Sequence, residues 1–503
     1  MSADASAIPH RGIITVCAMA ATLMQALDST IANVALPYMQ GSLSASYDEI
    51  TWVLTSYVIA AAIMTAPVGW LAARFGQKNL YLASIIGFTI ASMACGIATS
   101  LGEMVVDRFI QGVFGAALVP LSQGTMLNIY PAEKRGSAMA LWGMGVMVGP
   151  ILGPTLGGYL TELYNWRYVF FVNLPVGIAA TLGLWFFMAG EKAQPGLRFD
   201  WFGFTAFAIG IGGMQLMLDR GEDKDWFGST EIIVEAVVMA AGLYTFAVHM
   251  LTAERPFINR ALFKDRSFVA GALVMFLVGM VLLASSALLA PWLQELGNYP
   301  VETAGLLLAP RGVGTMAAML IAGRLANRVD PRWLMGIGVV LMWWSMDRLS
   351  GWTPAVAEAT LIENTMIQGF GMGFVFVPLN VAAFATLAPR LRYEATALFA
   401  LLRNVGSAVG ISLFETLVTN GTYVEHSVLA PFASPLNRAL AQAPQVAHTP
   451  ALLDSMINYQ AQVIAYNNDY WLMGIAALPV LLLLPLMRRP APASGGPAHV
   501  AMD

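Results

Sequence analysis

"FVAGALVMFLVGMVLLASSALLA", residues 268–290, runs for 23 residues without a charged side chain. A helix of roughly 20 apolar residues crosses the hydrocarbon core of a bilayer, so this stretch reads as a transmembrane helix. "GIITVCAMAATLMQALDSTIANVAL" (12–36) reads the same way, with a single carboxylate inside it. Over the whole chain of 503 residues, 57% are hydrophobic and 11% charged, and mean hydropathy is +0.66. Soluble domains carry about 25% charged residues. The chain is therefore an all-α polytopic membrane protein, and a soluble or nucleic-acid-binding class is excluded.

Working outward from 268–290, hydropathy predicts fourteen spans. They lie near 12–36, 50–73, 79–99, 104–128, 136–160, 168–189, 201–218, 231–251, 268–291, 303–323, 332–350, 358–386, 394–418 and 470–487. The connection at 419–469 is polar and is expected to lie in water. The first run lacks a clear A-x-A cleavage site, so it is expected to remain as the first helix. Cys17 and Cys95 both fall in apolar spans, which argues against a disulfide framework or a metal site.

Of the 26 Lys and Arg residues, eighteen fall in loops on the side of the two termini, among them Arg74, Lys78, Lys134 and Arg390. Five fall on the other side, and Arg108, Arg311 and Arg403 lie within spans. By the positive-inside rule both termini are cytoplasmic, and 419–469 faces outward.

The chain repeats itself. "GWLAAR" (69–74) returns as "GRLANR" (323–328), "IQG" (110–112) as "IQG" (367–369), and "VPL" (119–121) as "VPL" (377–379). The offsets are 254, 257 and 258 residues. Six helices thus repeat as six, around a two-helix insert, and parallel halves of this kind are one plan for secondary transporters. The expected division is a six-helix bundle over 1–190, an insert over 191–260, and a second bundle over 261–503 with its outer loop at 419–469.

At this point the residues resemble the major facilitator superfamily, and within it the 14-helix drug:proton antiporters of the EmrB/QacA type. The resemblance rests on "LDSTIANVALP" (27–37), "GWLAARFGQK" (69–78), "RFIQGVFGAA" (108–117), "GVMVGPILGPTLGG" (145–158), "WRYVFFVNLPVG" (166–177) and "LLLAPRGVG" (306–314). It implies a fold of fourteen transmembrane helices arranged 6+2+6. The implied activity is proton-driven efflux of hydrophobic drugs or toxic compounds across a bacterial inner membrane by alternating access, with no cofactor and no enzymatic step. One departure stands out. The loop motif usually carries Asp where this chain has Ala73, so the family's ionic latch does not transfer, although Gly69, Arg74, Gly76 and Lys78 remain.

Several residues carry the chemistry. Asp28 sits deep in the first span, where a carboxylate costs roughly 2.5–3.5 kcal/mol on insertion scales. Desolvation favours the protonated form of a carboxyl, as a proton carrier requires; a structural carboxylate bonded to a neighbouring helix is the competing reading. The resemblance gives Arg108 a part in proton transfer or in tuning a carboxylate. Snorkelling near the outer interface is its alternative.

Gly145, Gly149, Gly153 and Gly157 lie four apart and form one bare stripe, with Gly158 beside it. Small residues so spaced let a neighbouring backbone approach closely, while Pro150 and Pro154 free carbonyls. Shifted by about 256 residues, the stretch meets "VGSAVGISLF" (405–414), which keeps Gly406 and Gly410 but no proline. A purely architectural element should recur in both halves. The resemblance implies that this helix seals the interface between halves against proton leak.

Asn33, Gln111, Arg311, Glu363, Arg403, Asn404 and Glu415 are candidates for ion pairs within the bundle or for the cavity wall, and the charged members also for binding a cationic substrate. Glu235 and His249 fall in the insert and read as interfacial. Thr449-Pro450 has the form of an N-cap followed by proline in the first helical turn. The outer loop is either a contact for a periplasmic adaptor (membrane fusion) protein, with an outer-membrane channel beyond it, or a passive surface. Rival functions are a dedicated exporter of one metabolite, lipid or siderophore, and a transport-inactive sensor. A membrane enzyme has no HExxH or GxSxG motif to support it.

Overall fold

The computed structural model describes residues 10–190, 193–326, 328–432 and 450–487, with the side chains at 47, 48, 132, 150, 154, 301, 302 and 450 outside that set. Among the described residues the chain is helical throughout, and twelve helices are long and apolar enough to cross a membrane. A thirteenth is a pair, Trp52–Thr65 and Val68–Phe75, bent by 60°. The remaining predicted span is the helix Pro331–Leu349, whose apolar face is diluted by Arg332, Asp347 and Arg348.

In chain order the spans are α1 (Arg11–Ser42), α2 (the bent pair), α3 (Gln77–Ile97), α4 (Leu101–Ile129), α5 (Arg135–Leu163), α6 (Tyr168–Phe187), α7 (Trp201–Arg220) and α8 (Thr230–Thr252). They continue as α9 (Arg266–Pro291), α10 (Val301–Leu325), α11 (Pro331–Leu349), α12 (Glu358–Phe384), α13 (Arg392–Leu429) and α14 (Pro450–Ala477). This is the expected series of fourteen.

The internal repeat is visible as packing. In the first half α1 lies along α5 and α2 along α4; in the second, α9 lies along α13 and α10 along α12. The insert helices α7 and α8 pack mainly on each other through glycines: a Cβ on Gly210 would lie 2.7 Å from the Leu243 amide nitrogen. The halves meet where α5 lies along α10 and α4 meets α13.

One expectation needs correction. The stretch 419–469 is not a loop throughout, because α13 continues to Leu429 and α14 begins at Pro450. Hydropathy marks where a helix leaves the apolar layer, not where it ends. These extensions hold each other through small and polar contacts. A Cβ on Gly421 would lie 3.2 Å from Ala465 Cβ, and His426 Nε2 is 3.0 Å from Asp454 Oδ1. Pro450 opens α14 as predicted; its expected cap Thr449 lies outside the described residues.

Candidate functional site: a buried charge pair and a gate between halves

Asp28 is fully buried and Arg108 is 1% exposed. The α4 register that points Arg108 at α1 also points Gln111, one turn on, at the same carboxylate. Arg108 Nη1 donates to Asp28 Oδ2 at 2.7 Å and to Gln111 Oε1 at 2.8 Å. Gln111 Nε2 donates to Asp28 Oδ1 at 2.8 Å, and Asn173 Nδ2 from α6 donates to the same oxygen at 3.1 Å. Arg108 Nε reaches the Val53 carbonyl at 3.1 Å. Its guanidinium carbon stands 4.4 Å from the Tyr57 ring centroid and 5.7 Å from that of Phe170.

Both open readings narrow here. Arg108 does not snorkel; it turns inward to a carboxylate. Asp28 is bound to neighbouring helices, and its main partner among them is a cation. Sequence reasoning missed Asn173, Tyr57 and Ser92, the last accepting from Asn173 Nδ2 at 2.9 Å. Asn173 lies within "WRYVFFVNLPVG", so its motif was in view while its target was not.

A second polar cluster joins the halves at the basic face, the side of the loop motif. Tyr393, in the first turn of α13, donates its hydroxyl proton to Gln77 Oε1 and accepts from Asn128 Nδ2, the latter at 2.6 Å. Arg392 Nη1 donates to Asn128 Oδ1 at 2.9 Å, and Thr396 Oγ1 to the Pro120 carbonyl at 3.1 Å. Deeper between the halves, Gln123 donates to Asn380. With Ala73 in place of the acid, this contact between the halves is built from uncharged groups and one arginine.

The other motif residues support it. Gly69 packs where a Cβ would lie 2.5 Å from Glu394 Cα, so α2 needs glycine there to meet α13. Gly76 adopts φ 85°, which glycine tolerates freely. Lys78 Nζ donates to the Trp185 carbonyl at 2.7 Å. Arg74 lies in the last turn of α2, before the Gly76 break, with its Nη1 buried and no hydrogen-bond partner among the described residues.

The glycine stripe of α5 faces α1. A Cβ on Gly149 would lie 2.5 Å from Ala26 Cβ, one on Gly145 3.0 Å from Met19 Cε, and one on Gly157 3.0 Å from Ile31 Cγ1. Gly153 meets Thr30, and Gly158 meets nothing within 4 Å. The face of α5 that meets the other half is different: Gly143 abuts Met319, and Gly323 of α10 abuts Ala140. Gly406 and Gly410 of α13 press on the α9 backbone at Phe276 and Met280 in the same manner. The stripe therefore recurs as architecture, and the prolines alone are peculiar to the first half. Pro150 and Pro154 lie within the helix, with side chains outside the described set.

The remaining candidates scatter. Glu363 is an exposed surface residue paired to Arg348 at 3.0 Å, so it does not line a central cavity. Glu415 is exposed, in the field of Glu222 and Asp223 from the α7–α8 turn and of Asp219 at the end of α7. That turn docks on α13 through Trp226 Nε1 to Thr416 Oγ1 at 2.9 Å. Asn33 is exposed. In the insert, Glu235 lies 3.4 Å from Arg220 and His249 2.9 Å from Asp200. Arg403 touches Asn404 Oδ1 at 3.4 Å, while Arg311 reaches α9. Neither arginine meets Glu363 or Glu415 among the described residues.

Comparison with known proteins bears on the whole chain. The profile described as Major Facilitator Superfamily matches residues 18–411. This chain belongs to the major facilitator superfamily. Within the superfamily it is 36% identical over 497 residues to the multidrug export protein EmrB of Escherichia coli (strain K12), covering 96% of each chain. It is 34% identical over 488 residues to the fatty acid resistance protein FarB of Neisseria gonorrhoeae, covering 95% of this chain and 96% of that one. Among solved structures, the human organic anion transporter MFSD10 superposes with a TM-score of 0.65 at 12% identity, over 95% of this chain and all of that one. The superfamily fold and a transporter, rather than an enzyme, follow from these matches.

Proposed function

We propose that the protein is a proton-coupled antiporter that exports hydrophobic, structurally diverse compounds by alternating access between its two six-helix halves. The reading sets it in a bacterial inner membrane with both termini cytoplasmic and the α13–α14 extensions outside. That orientation leaves the extensions free to meet a periplasmic adaptor of a tripartite system. The relatives EmrB and FarB, named for multidrug export and fatty acid resistance, support the export direction.

The observation that carries the reading is the Asp28–Arg108 pair, sealed from solvent and braced by Gln111 and Asn173. A buried pair separates only if each member finds another partner. Arg108 has them in the Val53 carbonyl, Gln111 Oε1 and the Tyr57 face. Asp28 has none of opposite charge except Arg108 among the described residues, so a proton is what replaces the cation. Protonation of Asp28 from outside therefore frees α1 from α4, and release inside restores the pair. The Tyr393 cluster closes the basic face while Asp28 takes its proton from outside, and parts before the proton is released inside.

The test is transport in proteoliposomes with an imposed pH gradient and a fluorescent hydrophobic dye, comparing wild type with Asp28→Asn. Gradient-driven dye movement that disappears in the variant, while dye binding persists, is the expected result. Undiminished gradient-driven transport by Asp28→Asn removes the assignment.

A further inference from the structure

The two-helix insert takes no part in the exchange described above, yet it is fastened to both halves. The fastenings lie at the end of the bundle away from the basic face, which is the outer face in the reading above. The last turn of α7 rests on the first turns of α2. Thr55 Oγ1 donates to Asp219 Oδ2, and the Arg220 guanidinium carbon stands 5.5 Å from the Trp52 ring centroid. Farther along, a Cβ on Gly212 would lie 3.7 Å from Ile63 Cδ1. In the turn after α7, Trp226 crosses to the second half, where its Nε1 donates to Thr416 Oγ1 of α13 at 2.9 Å.

At this level α2 has two working faces. Trp52 and Thr55, three apart, share the face toward α7. Val53 and Tyr57, four apart, share the face toward α4. There the Val53 carbonyl accepts from Arg108 Nε at 3.1 Å, and the Tyr57 ring meets the guanidinium. The two helices are close, since a Cβ on Gly112 would lie 2.5 Å from the Tyr57 carbonyl oxygen. One stretch of α2 thus has the insert on one side and the buried charge pair on the other.

The attachments to the two halves are unequal. The insert meets α2 through a hydrogen bond, a cation–π contact and apolar packing. Its turn meets α13 through a bond whose members both keep other partners. Trp226 Nε1 also lies 3.3 Å from Glu222 Oε2 on its own turn, and Thr416 Oγ1 donates to the Ser412 carbonyl at 2.8 Å. Parting Trp226 from Thr416 therefore strands no donor, and the loss is that of one hydrogen bond. Glu415, the neighbour of Thr416, stands in the field of Asp219, Glu222 and Asp223 of the insert, and like charges across the contact repel. A single bond working against a standing repulsion closes a surface and releases it readily. Alternating access requires such a contact wherever one bundle rocks against the other.

We propose that the insert rides with the first half, that Trp226 is the outer clasp between the halves, and that Asp219 is a positioning residue linking the clasp to the stretch of α2 that holds Arg108. This rests on alternating access as read above. It is tested by distances, whereas the exporter reading is tested by dye transport, so the two failures are separable.

The experiment is spin-label distance measurement on the full-length protein in liposomes at pH 8, with Cys17→Ala and Cys95→Ala as background. The labels sit at the exposed positions Gly102 in the first turn of α4 and Ala359 in the first turn of α12. Trp226→Phe keeps the ring and loses the donor; it is expected to raise the ratio of long to short distances roughly two- to tenfold. Glu415→Gln removes the repulsion and keeps the bond, and is expected to lower the ratio. Opposite shifts from two polar substitutions on one contact are not produced by general loosening. Asp28→Asn, an isostere of the protonated carboxyl, is also expected to lower the ratio. Asp219→Ala is expected to cancel that response, and Asp219→Asn, whose amide oxygen still accepts from Thr55, to keep it. An unchanged ratio in Trp226→Phe, or one that fails to fall in Glu415→Gln, overturns the clasp. No response to Asp28→Asn, or one that persists in full in Asp219→Ala, overturns the positioning role.

Discussion

Asp28 and Arg108, on helices distant in sequence, meet at 2.7 Å with neither side chain more than 1% exposed. Their secondary partners are unequal. Arg108 has a carbonyl, an amide oxygen and an aromatic face in reserve, whereas among the described residues Asp28 has only the side-chain amides of Gln111 and Asn173.

The inequality predicts an order of stability. Arg108→Gln strands a buried carboxylate and is expected to cost about 3–5 kcal/mol. Asp28→Asn leaves the arginine with its other partners and costs less. The double variant, which leaves no unpaired charge, should recover most of the loss. Melting temperatures of the three proteins in detergent decide this, and equal losses for the two single variants contradict it.

Close contact of α1 with α5 sets a second expectation. Gly149→Val drives side-chain carbon into the α1 backbone at Ala26 and should destabilise by several kcal/mol, with overpacking alone costing about 1–3. Gly158→Ala meets open space and should be near neutral. Yield and thermal stability of the two variants are the measurement, and equal behaviour contradicts the packing assigned here.

Tyr393 joins Gln77 and Asn128 across the halves. Tyr393→Phe removes two hydrogen bonds of about 1 kcal/mol each, which shifts a two-state gate by roughly 5–30-fold. Spin labels at the exposed positions Asn79 and Arg390 should report a larger separation in the variant. An unchanged distance distribution speaks against a gating role.

Glu363 provides the contrasting case. Its bridge to Arg348 lies at the surface, with the glutamate side chain 60% exposed, and exposed pairs contribute about 0–1 kcal/mol. Glu363→Gln should transport as wild type and melt within a degree or two of it. Loss of transport in this variant assigns the residue a part that its position does not suggest.

Much of this was legible in the residues. Span count follows from apolar length, which the bilayer imposes directly. The repeat of "IQG" led to Gln111 and Gln368, and both proved to reach the first helix of their half. Partners were not legible. Nothing in the spacing of Arg108 tells whether it points to lipid or to Asp28, because helix rotation depends on packing against α2 and α6. The direction of the α5 glycine stripe was hidden likewise: spacing marks a close contact and leaves the neighbour unnamed. The reach of α13 was misjudged because its last turns are helical by contact with α14, not by hydropathy.

That reach has a mechanical meaning. The 38 residues from Arg392 to Leu429 form one uninterrupted helix, about 57 Å long at 1.5 Å per residue, where the hydrocarbon layer is roughly 30 Å. Its first turn carries the Tyr393 fastening, and its far end is held in a brace with α14. A stiff beam seated at one end in a latch and projecting at the other is a lever. Force applied to the protruding tip arrives at the latch as rotation, with Gly406 and Gly410 against α9 as the fulcrum.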